Sequence, residues 1–247
     1  MSMLEIRNLN KSFGAITVSC DISLSIGQGD CHALIGPNGA GKTTLIHQIS
    51  GVLMPDSGQI ILEGQDITSL SVAQRVRVGM GRTFQITSVL PTFSALENTA
   101  IAVQAKSGSS MRFFADAARD TGLNTKAQAI LERVGLGSRS DIRASNLSHG
   151  ELRLLELAIA LAGEPKFLLL DEPMAGLGRV ESAALVTLLT ELRRSLPMLL
   201  VEHDMDAIFQ LANTVSVLVD GNLVARGTPD EVRASPAARA AYLGEPA

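Results

Sequence analysis

The sequence is poor in aromatic residues and has no excess of positive charge, and both shortages count against nucleic-acid binding. Among its 247 residues there is no tryptophan and only one tyrosine, and aromatic side chains make up 3%. A surface on which single-stranded bases stack needs more aromatic side chains than this. The formal net charge is −4 and the isoelectric point is about 5.6, whereas duplex binding through phosphate contacts needs an excess of lysine and arginine. We therefore expect no nucleic-acid partner.

Cysteines are few, and neither a leader segment nor a long apolar run is found. Cys20 and Cys31 show neither CxxC spacing nor a paired histidine–cysteine set, which favours two small apolar residues in a reducing compartment. The first residues, MSMLEIRNLNKSFG, lack the basic-then-apolar order of a signal peptide. No apolar run approaches the ~20 residues that span a bilayer. We expect a cytosolic protein that reaches a membrane only through a partner.

The apolar residues that are present predict an α/β protein. Hydrophobic residues make up 46% of the chain and charged residues 19%, which allows a sizeable core. Two wholly apolar runs, Phe167–Leu170 and Met198–Val201, are typical of buried parallel strands. Thr214–Val219 and Leu223–Arg226 flank an Asp-Gly turn and predict a hairpin. Short β-branched segments predict an antiparallel or mixed sheet near the N-terminus, over 3–7, 15–18, 22–26 and 31–35.

The segment GPNGAGKT, from Gly36 to Thr43, fits the phosphate-loop pattern G-x-x-x-x-G-K-[ST]. It follows the apolar run CHALI and opens a helical segment, which is the context that this motif requires. The glycines let backbone N–H groups turn toward phosphate oxygens, and the helix start adds a partial positive charge. Lys42 is expected to reach the β- and γ-phosphates, and the Thr43 hydroxyl is expected to bind Mg²⁺.

One buried strand ends in two carboxylates that suit such a phosphate site. The run Phe167–Leu170 is followed by Asp171 and Glu172, and Pro173 then ends the strand. Asp171 is predicted to serve Mg²⁺, directly or through water, and Glu172 to act on the attacking water. The structural alternative is a helix N-cap with an acidic first turn.

Two further polar residues are candidates because of their positions. His203 follows the second apolar strand, in LLVEHD, where it would be a neighbour of the carboxylates at the end of the first. Gln85, in GRTFQ, lies at a strand-to-helix transition, where its amide could touch Mg²⁺ or water. Taken alone, a histidine after a strand is more often a structural residue, and Gln85 alone has no weight.

The pentapeptide LSHGE, Leu147 to Glu151, places a hydroxyl, an imidazole and a carboxylate just before an apolar helical run. A serine hydrolase would need a strained serine turn of the G-x-S-x-G kind and an acid partner, and the sequence shows neither. Glu151 is explained equally well by ordinary helix capping, because acidic residues complement the helix dipole. Ser148 and Gly150 at a helix start also offer free N–H groups to an anion.

The order Phe13, GPNGAGKT, TFQ, LSHGE, LLLDEP, VEHD resembles the nucleotide-binding subunits of ATP-binding cassette (ABC) proteins over essentially the whole chain. The resemblance implies an α/β P-loop NTPase fold with a RecA-like parallel-sheet core, an N-terminal antiparallel β subdomain and an α-helical insertion. A single ABC nucleotide-binding domain would span 1–247, with the core and β subdomain over about 1–86 and 162–247. The helical subdomain would cover about 87–161, where helical periodicity dominates.

The resemblance also implies ATP and Mg²⁺ as cofactors, ATP hydrolysis as the activity, and a role for each motif. Phe13 would stack on the adenine, and the phosphates would be bound by Gly36, Pro37, Asn38, Gly39, Ala40, Gly41, Lys42, Thr43 and Thr44. Thr43, Gln85 and Asp171 would serve the metal, and Gln85 would couple it to a membrane subunit. Glu172 would polarise water, and His203 would hold the γ-phosphate and Glu172 in register.

LSHGE corresponds to the signature motif of the family, which is usually similar to LSGGQ. Its residues would contact ATP held by a facing subunit, namely Ser148, His149, Gly150 and Glu151. A chain that already binds phosphate at Lys42 has little use for a second such helix start unless the two meet across an interface. A head-to-tail dimer would therefore close on ATP and open after hydrolysis. Where the family usually has Asp or Asn after the DEP motif, this chain has Gly178, which lacks a side chain to bond across the dimer.

Finer matches resemble the ATPases that drive import of branched-chain amino acids and of related amides and urea. They are RTFQ, FSALENTAIAVQ, DEP followed by AGL, and YLGE in the tail. The resemblance implies a homodimer or a heterodimer with a second ABC ATPase subunit, two membrane permease subunits and a periplasmic or extracellular solute-binding protein. The chain itself would be cytoplasmic and peripheral on the inner face of the cell membrane.

Three other classes stay open beside the importer. An exporter ATPase of the lipopolysaccharide type resembles this importer group closely. A soluble ABC ATPase of DNA repair or of the ribosome typically adds long coiled coils, zinc motifs or a second cassette, and the sequence contains none of these. A P-loop kinase would lack both LSHGE and the strand that leads to His203.

Overall fold

Ten strands in the described part of the chain form two sheets. The computed structural model describes residues 2–83, 89–107 and 121–243, without the side chains of 241–243. The strands are β1 (Ser2–Phe13), β2 (Ile16–Gly27), β3 (Cys31–Ile35), β4 (Ser57–Leu62), β5 (Gln65–Asp66), β6 (Met80–Arg82), β7 (Phe167–Asp171), β8 (Met198–Val201), β9 (Thr214–Val219) and β10 (Asn222–Gly227).

The first sheet is antiparallel, with the strand order β2-β1-β4-β5. The two segments predicted over 15–18 and 22–26 belong to one strand, β2, so the predicted break between them is wrong. The strand continues across the residues in between because the pairing of β1 with β2 bulges there: Asn8 and Asp21 both have positive φ, and Asn8 Nδ2 donates to Asp21 Oδ1 at 2.7 Å.

The second sheet has the order β10-β9-β3-β8-β7-β6, and its pairs are parallel except for β9 with β10. The predicted parallel pair β7 and β8 and the predicted hairpin β9–β10 are confirmed. Alternate residues of β7 enter different cores: Leu168 and Leu170 pack on one face of the sheet, and Phe167 and Leu169 on the other. Because both faces are covered, the strand has no polar side and reads as a continuous apolar run.

Helices cover the second sheet and form a group of their own in the middle of the chain. The helices of the described residues are α1 (Lys42–Ser50), α2 (Val72–Arg77), α3 (Ala95–Ser107), α4 (Thr121–Arg133), α5 (His149–Ala162), α6 (Arg179–Leu192), α7 (Met205–Leu211), α8 (Pro229–Ala234) and α9 (Pro236–Leu243). Helices α3, α4 and α5 pack on one another. The predicted helical insertion agrees with this group, although 87, 88 and 108–120 lie outside the described residues and the subdomain boundaries stay predictions.

A fully buried arginine fixes the far end of α1. The guanidinium of Arg75 donates to four backbone carbonyls, those of Gln48, Ile49, Thr68 and Leu70, at 2.6 to 3.0 Å. Burial lowers the pKa of Arg75 to about 10. A cation is favoured here because the carbonyls at a helix C-terminus carry partial negative charge. Arg75 therefore connects the helix that begins at Lys42 to the loop before α2.

A buried histidine in the second sheet makes the stability of the fold dependent on pH. His32 of β3 is fully buried; its Nε2 lies 2.9 Å from Ser216 Oγ, and its Nδ1 has no hydrogen-bond partner among the described residues. Burial, with repulsion from Arg226, lowers the pKa of His32 from 6.5 to about 4. A depressed histidine pKa means that the unfolded chain takes up the proton first, so the free energy of unfolding falls as pH falls from 6.5 to about 4. We expect a loss of ~3 kcal/mol through this window.

Urea unfolding at a series of pH values measures this loss, and His32→Gln is the matched variant because it keeps a polar group beside Ser216 without titrating. The variant is expected to lose less stability than the wild type as the pH falls. Equal slopes for the two proteins between pH 6.5 and 4 would contradict the assignment.

Candidate functional site

Part of the predicted site lies at the carboxyl ends of the parallel strands: the phosphate loop, Asp171, Glu172 and His203. The phosphate loop follows β3, Asp171 ends β7 with Glu172 directly after it, and His203 comes two residues after the end of β8. Strands β3, β8 and β7 are neighbours in the sheet, so their ends lie side by side. This edge is where open parallel sheets place their ligand sites.

The phosphate loop requires glycine where neighbouring backbone comes close. Gly41 has φ 104° and a Cβ there would lie 2.4 Å from Val18 O, and a Cβ on Gly36 would lie 2.0 Å from Leu218 O. Any larger residue would push the loop off the strands behind it. The loop leads directly into α1, whose first N–H groups have no partner within the helix. Backbone donors and the positive end of α1 thus make an anion site.

Lys42, the first residue of α1, bends back over this loop. Its Nζ donates to Gly36 O at 2.7 Å and to Pro37 O at 3.0 Å. Burial lowers the pKa of the ammonium, and the carboxylates of Glu172 and Asp171 oppose that shift. The cation therefore lies between the loop and the acidic strand end, where a polyphosphate would find both the loop amides and the ammonium.

Glu172 and His203 form a pair across two strand ends. His203 Nε2 donates to Glu172 Oε1 at 2.9 Å, and the side chains are 41% and 24% exposed, so water reaches them. The backbone N–H of Glu172 also donates to Val201 O at 2.8 Å, which continues the pairing of β7 with β8. A carboxylate held in this way can accept a proton from a water molecule that its histidine partner helps to place.

Asp171 differs from its neighbour in burial. It is 2% exposed, and its Oδ2 lies 3.5 Å from Nη2 of Arg82, whose Nη1 donates to Ser50 Oγ at 2.8 Å. Burial raises the pKa of Asp171 and the positive charge of Arg82 lowers it. The two carboxylates predicted to divide the chemistry therefore have unlike environments, one buried beside an arginine and one exposed beside a histidine.

Two other predicted residues are Phe13 and Gln85, of which the structure describes Phe13. Phe13 ends β1 and is 52% exposed, and Lys11 Nζ lies over one face of its ring, 5.6 Å from the ring centre. Gln85 lies outside the described residues. The chain is described up to Thr83, whose N–H donates to Leu169 O at 3.0 Å beside β7.

LSHGE begins α5 and caps it. Ser148 is the N-cap: Glu151 N–H donates to its Oγ at 3.2 Å, and its own N–H donates to Glu151 Oε2 at 2.8 Å. The Ser148 N–H lowers the pKa of Glu151, and an ion pair with Arg139 at 2.8 Å lowers it further. The capping interpretation of Glu151 is confirmed.

His149 and Gly150 connect α5 to the chain after β7. His149 Nε2 donates to Ala175 O at 3.1 Å, and Gly150 lies against the carboxylate of Glu181 in α6. Glu181 also accepts the Gly178 N–H at 3.0 Å, so Gly178 serves as the N-cap of α6 through its backbone. The start of α5 and the loop from Glu172 to Gly178 therefore form one connected surface, which the sequence did not indicate.

The comparison with known families agrees with this geometry. Residues 20–175 match the family model described as ABC transporter. The chain belongs to the ABC transporter family. Residues 222–247 of this ABC cassette match a second model, described as branched-chain amino acid ATP-binding cassette transporter.

Relatives of the cassette extend over its full length. The high-affinity branched-chain amino acid transport ATP-binding protein LivG of Escherichia coli is 35% identical over 255 residues, which cover 98% of each chain. The probable LivG of Archaeoglobus fulgidus is 34% identical, over 99% of this chain and 96% of its own. The lipopolysaccharide export system ATP-binding protein LptB of Haemophilus influenzae is 31% identical, over 99% of this chain and 98% of its own.

Solved ABC cassettes share the fold. A nucleotide-free ATP-binding cassette from an ABC transporter superposes with a TM-score of 0.87 at 29% identity, covering 99% of this chain and all of that one. A cassette in its ADP conformation gives the same TM-score, identity and coverage. The predicted P-loop cassette fold is confirmed, and this ABC protein is a nucleotide-binding ATPase whose hydrolysis is coupled to transport. Within the described ranges of the cassette, no helix has the length and hydropathy to cross a bilayer.

Sequence reasoning missed several polar residues around the site of the cassette. They are Arg82 beside Asp171, Arg75 at the end of α1, and Glu202, a buried acid next to His203. Glu202 follows an apolar run of the sequence, as Asp171 does, and this position could have marked it as a candidate site residue.

Proposed function

We propose that this chain is the motor subunit of an importer for branched-chain amino acids or related polar solutes. The observation that carries the solute class is the match of residues 222–247 to the branched-chain amino acid cassette model. The full-length likeness to LivG proteins of a bacterium and an archaeon supports the same assignment. The partners would be a second ATPase subunit, two membrane permease subunits and an external solute-binding protein, with the cassette on the cytoplasmic face of the membrane.

In the proposed cycle, the phosphate loop amides and Lys42 hold the β- and γ-phosphates, and Phe13 stacks on the adenine. Glu172 accepts a proton from the attacking water, and His203 keeps that carboxylate aimed at the γ-phosphate. Two subunits meet head to tail, so that Ser148 and the start of α5 contact ATP bound to the partner. Because ATP is part of this interface, ATP binding and dimerisation strengthen each other by the same factor.

The donors at the site suit Mg²⁺. The ion prefers oxygen ligands, and the Asp171 carboxylate and Thr43 hydroxyl would hold it, with Gln85 as a further donor. When bound, Mg²⁺ supplies positive charge to the phosphate oxygens. The chain keeps Asp171 in place through Arg82.

An export function is the second candidate, because LptB of Haemophilus influenzae is 31% identical over almost the whole chain. Uptake of radiolabelled leucine after deletion of the gene distinguishes the two. Import predicts that uptake is lost on deletion and is restored by the wild-type gene but not by Glu172→Gln. Unchanged uptake, together with loss of lipopolysaccharide from the cell surface, would support export.

The head-to-tail arrangement predicts that Ser148→Arg blocks ATP-driven dimerisation. The variant places a long cation where the partner's nucleotide would approach, so we expect the Glu172→Gln, Ser148→Arg double variant to stay monomeric in ATP. ATP binding to the monomer should be unchanged, because Ser148 does not line the phosphate loop of its own chain. Sedimentation in ATP with Glu172→Gln alone as the reference measures this.

Ser148→Arg also removes a helix cap, which is worth about 1 kcal/mol. Ser71→Arg is the matched control, since Ser71 caps α2 with the same reciprocal bonds to Gln74. Glu172→Gln, Ser71→Arg should dimerise in ATP. A normal dimer of the Ser148→Arg protein would contradict the cross-subunit role.

A further inference from the structure

A buried carboxylate next to the site has no role in the proposed chemistry. Glu202 follows β8 and is 3% exposed. Its Oε1 accepts the Met174 N–H at 2.7 Å, and its Oε2 accepts the N–H groups of His203 at 2.7 Å and Asp204 at 3.2 Å. No lysine or arginine of the described residues forms an ion pair with it. The three backbone N–H groups therefore supply the polar contacts that a buried charge needs.

The groups that Glu202 joins belong to two different loops. Met174 lies two residues after Glu172, in a loop closed by bonds from Ala175 N–H to Glu172 O and from Leu177 N–H to Met174 O, both 3.1 Å. The other two N–H groups belong to the loop that carries His203. The 14-residue helix α6 lies between these loops in the sequence. A single carboxylate thus fixes the backbone of one loop against the backbone of the other.

The contacts of Glu202 form a bridge between the two loops, and the bond between the side chains of Glu172 and His203 connects the same loops a second time. That bond is 2.9 Å long and partly exposed, so side-chain rotation and water can disrupt it. The bridge through Glu202 is buried and holds backbone N–H groups of both loops. It therefore fixes the backbone positions from which the side chains of Glu172 and His203 extend. If one loop moved by an ångström against the other, the pair formed by Glu172 and His203 would lose its geometry, and misplacement of that size costs up to about 100-fold in rate.

We propose that Glu202 is a positioning residue, which holds the loops of Glu172 and His203 in register for ATP hydrolysis. The inference rests on the proposed roles of Glu172 and His203. It assigns no contact with ATP to Glu202. The same carboxylate also fixes the position of Ala175, one residue after Met174, where His149 contacts the loop.

Glu202→Gln tests the proposal with little change of shape. One of its two terminal atoms becomes an NH₂ group, which cannot accept from a backbone N–H, so one side of the bridge is lost. We expect kcat for ATP hydrolysis to fall about 10- to 100-fold, while the dissociation constant for ATP stays within about twofold of the wild type. Glu231→Gln is the matched control, because Glu231 accepts the Thr228 N–H at 2.8 Å at the start of α8, away from the site. It should keep wild-type kcat.

A double-mutant cycle separates positioning from a loss of stability. In the His203→Ala background, Glu202→Gln should lower the residual kcat by less than about twofold, since the pair it positions is already broken. An unchanged kcat in Glu202→Gln, or an equal loss in both backgrounds, would overturn the proposal. If Glu202→Gln fails to fold, Glu202→Asp takes its place, because the shorter side chain cannot span both loops. Wild-type turnover in Glu172→Gln and His203→Ala would instead refute the proposed site itself.

Discussion

Replacing Glu172 with glutamine is expected to lower the rate of ATP hydrolysis by at least about 100-fold, which is the usual contribution of a general base. Glutamine has nearly the same shape and its amide oxygen can still accept the bond from His203, which is 2.9 Å in the wild type. It cannot take up a proton from the attacking water. Because Glu172 is a neighbour of the phosphate loop rather than part of it, ATP affinity should stay within about twofold of the wild type.

The same variant should accumulate as an ATP-bound dimer, since hydrolysis is the step that opens the interface. Phosphate release measures turnover, and sedimentation with and without ATP measures the dimer. Glu191→Gln is a suitable control, because Glu191 is an exposed glutamate of α6. It should hydrolyse ATP normally and should show no trapped dimer. Wild-type turnover in Glu172→Gln would assign the base to another residue.

The features that sequence could predict are those with local causes. The phosphate loop is one, because the strand before it, its glycines and the helix after it are continuous in sequence and restrict one another. The buried strands are another, since a strand covered on both faces needs apolar residues at every position, as in β7 and β8. Glu151 as a capping residue belongs to the same group, because its partner Ser148 is three positions away.

The features that sequence could not predict depend on contacts between distant segments. Glu202 and Met174 are 28 positions apart, and His149 and Ala175 are 26 apart. Arg75 reaches back to the end of α1, where its guanidinium replaces the solvent that the carbonyls of Gln48 and Ile49 would otherwise contact. No periodicity or motif marks such pairs, since each depends on how three or four elements pack. The break predicted between 15–18 and 22–26 failed for a related reason: pairing with β1 holds β2 together across a polar bulge.

The candidate site combines features with local causes and contacts between distant segments. Glu172 and His203 were predicted to be neighbours because each follows an apolar strand, and adjacent parallel strands end at the same edge. Their separation of 2.9 Å depends in addition on loops that the sequence does not define. The residue types at the site follow from local rules, whereas the distances between them follow from buried polar contacts such as those of Glu202.

Lys42→Ala is expected to weaken ATP binding about 10- to 100-fold, because a hydrogen bond to a charged group contributes about 1.5–3 kcal/mol and each 1.4 kcal/mol is a factor of ten. The ammonium is already at the mouth of the loop, 2.7 Å from Gly36 O, and the carboxylates of Glu172 and Asp171 oppose the lowering of its pKa by burial. Titration with a fluorescent ATP analogue measures the loss. The rise in melting temperature that ATP gives the wild type should shrink in parallel, since it depends on the same affinity.

Lys126→Ala controls for the loss of a lysine in general, because Lys126 is an exposed residue of α4. The alanine variant also removes the bonds from Lys42 to Gly36 O and Pro37 O, so a loosened loop could mimic a lost phosphate contact. Lys42→Arg separates the two, since a longer cation retains the charge and loses the fitted geometry. If the charge matters most, Lys42→Arg should bind ATP more tightly than Lys42→Ala. Unchanged ATP affinity in Lys42→Ala, with Lys126→Ala also normal, would remove Lys42 from the proposed phosphate site.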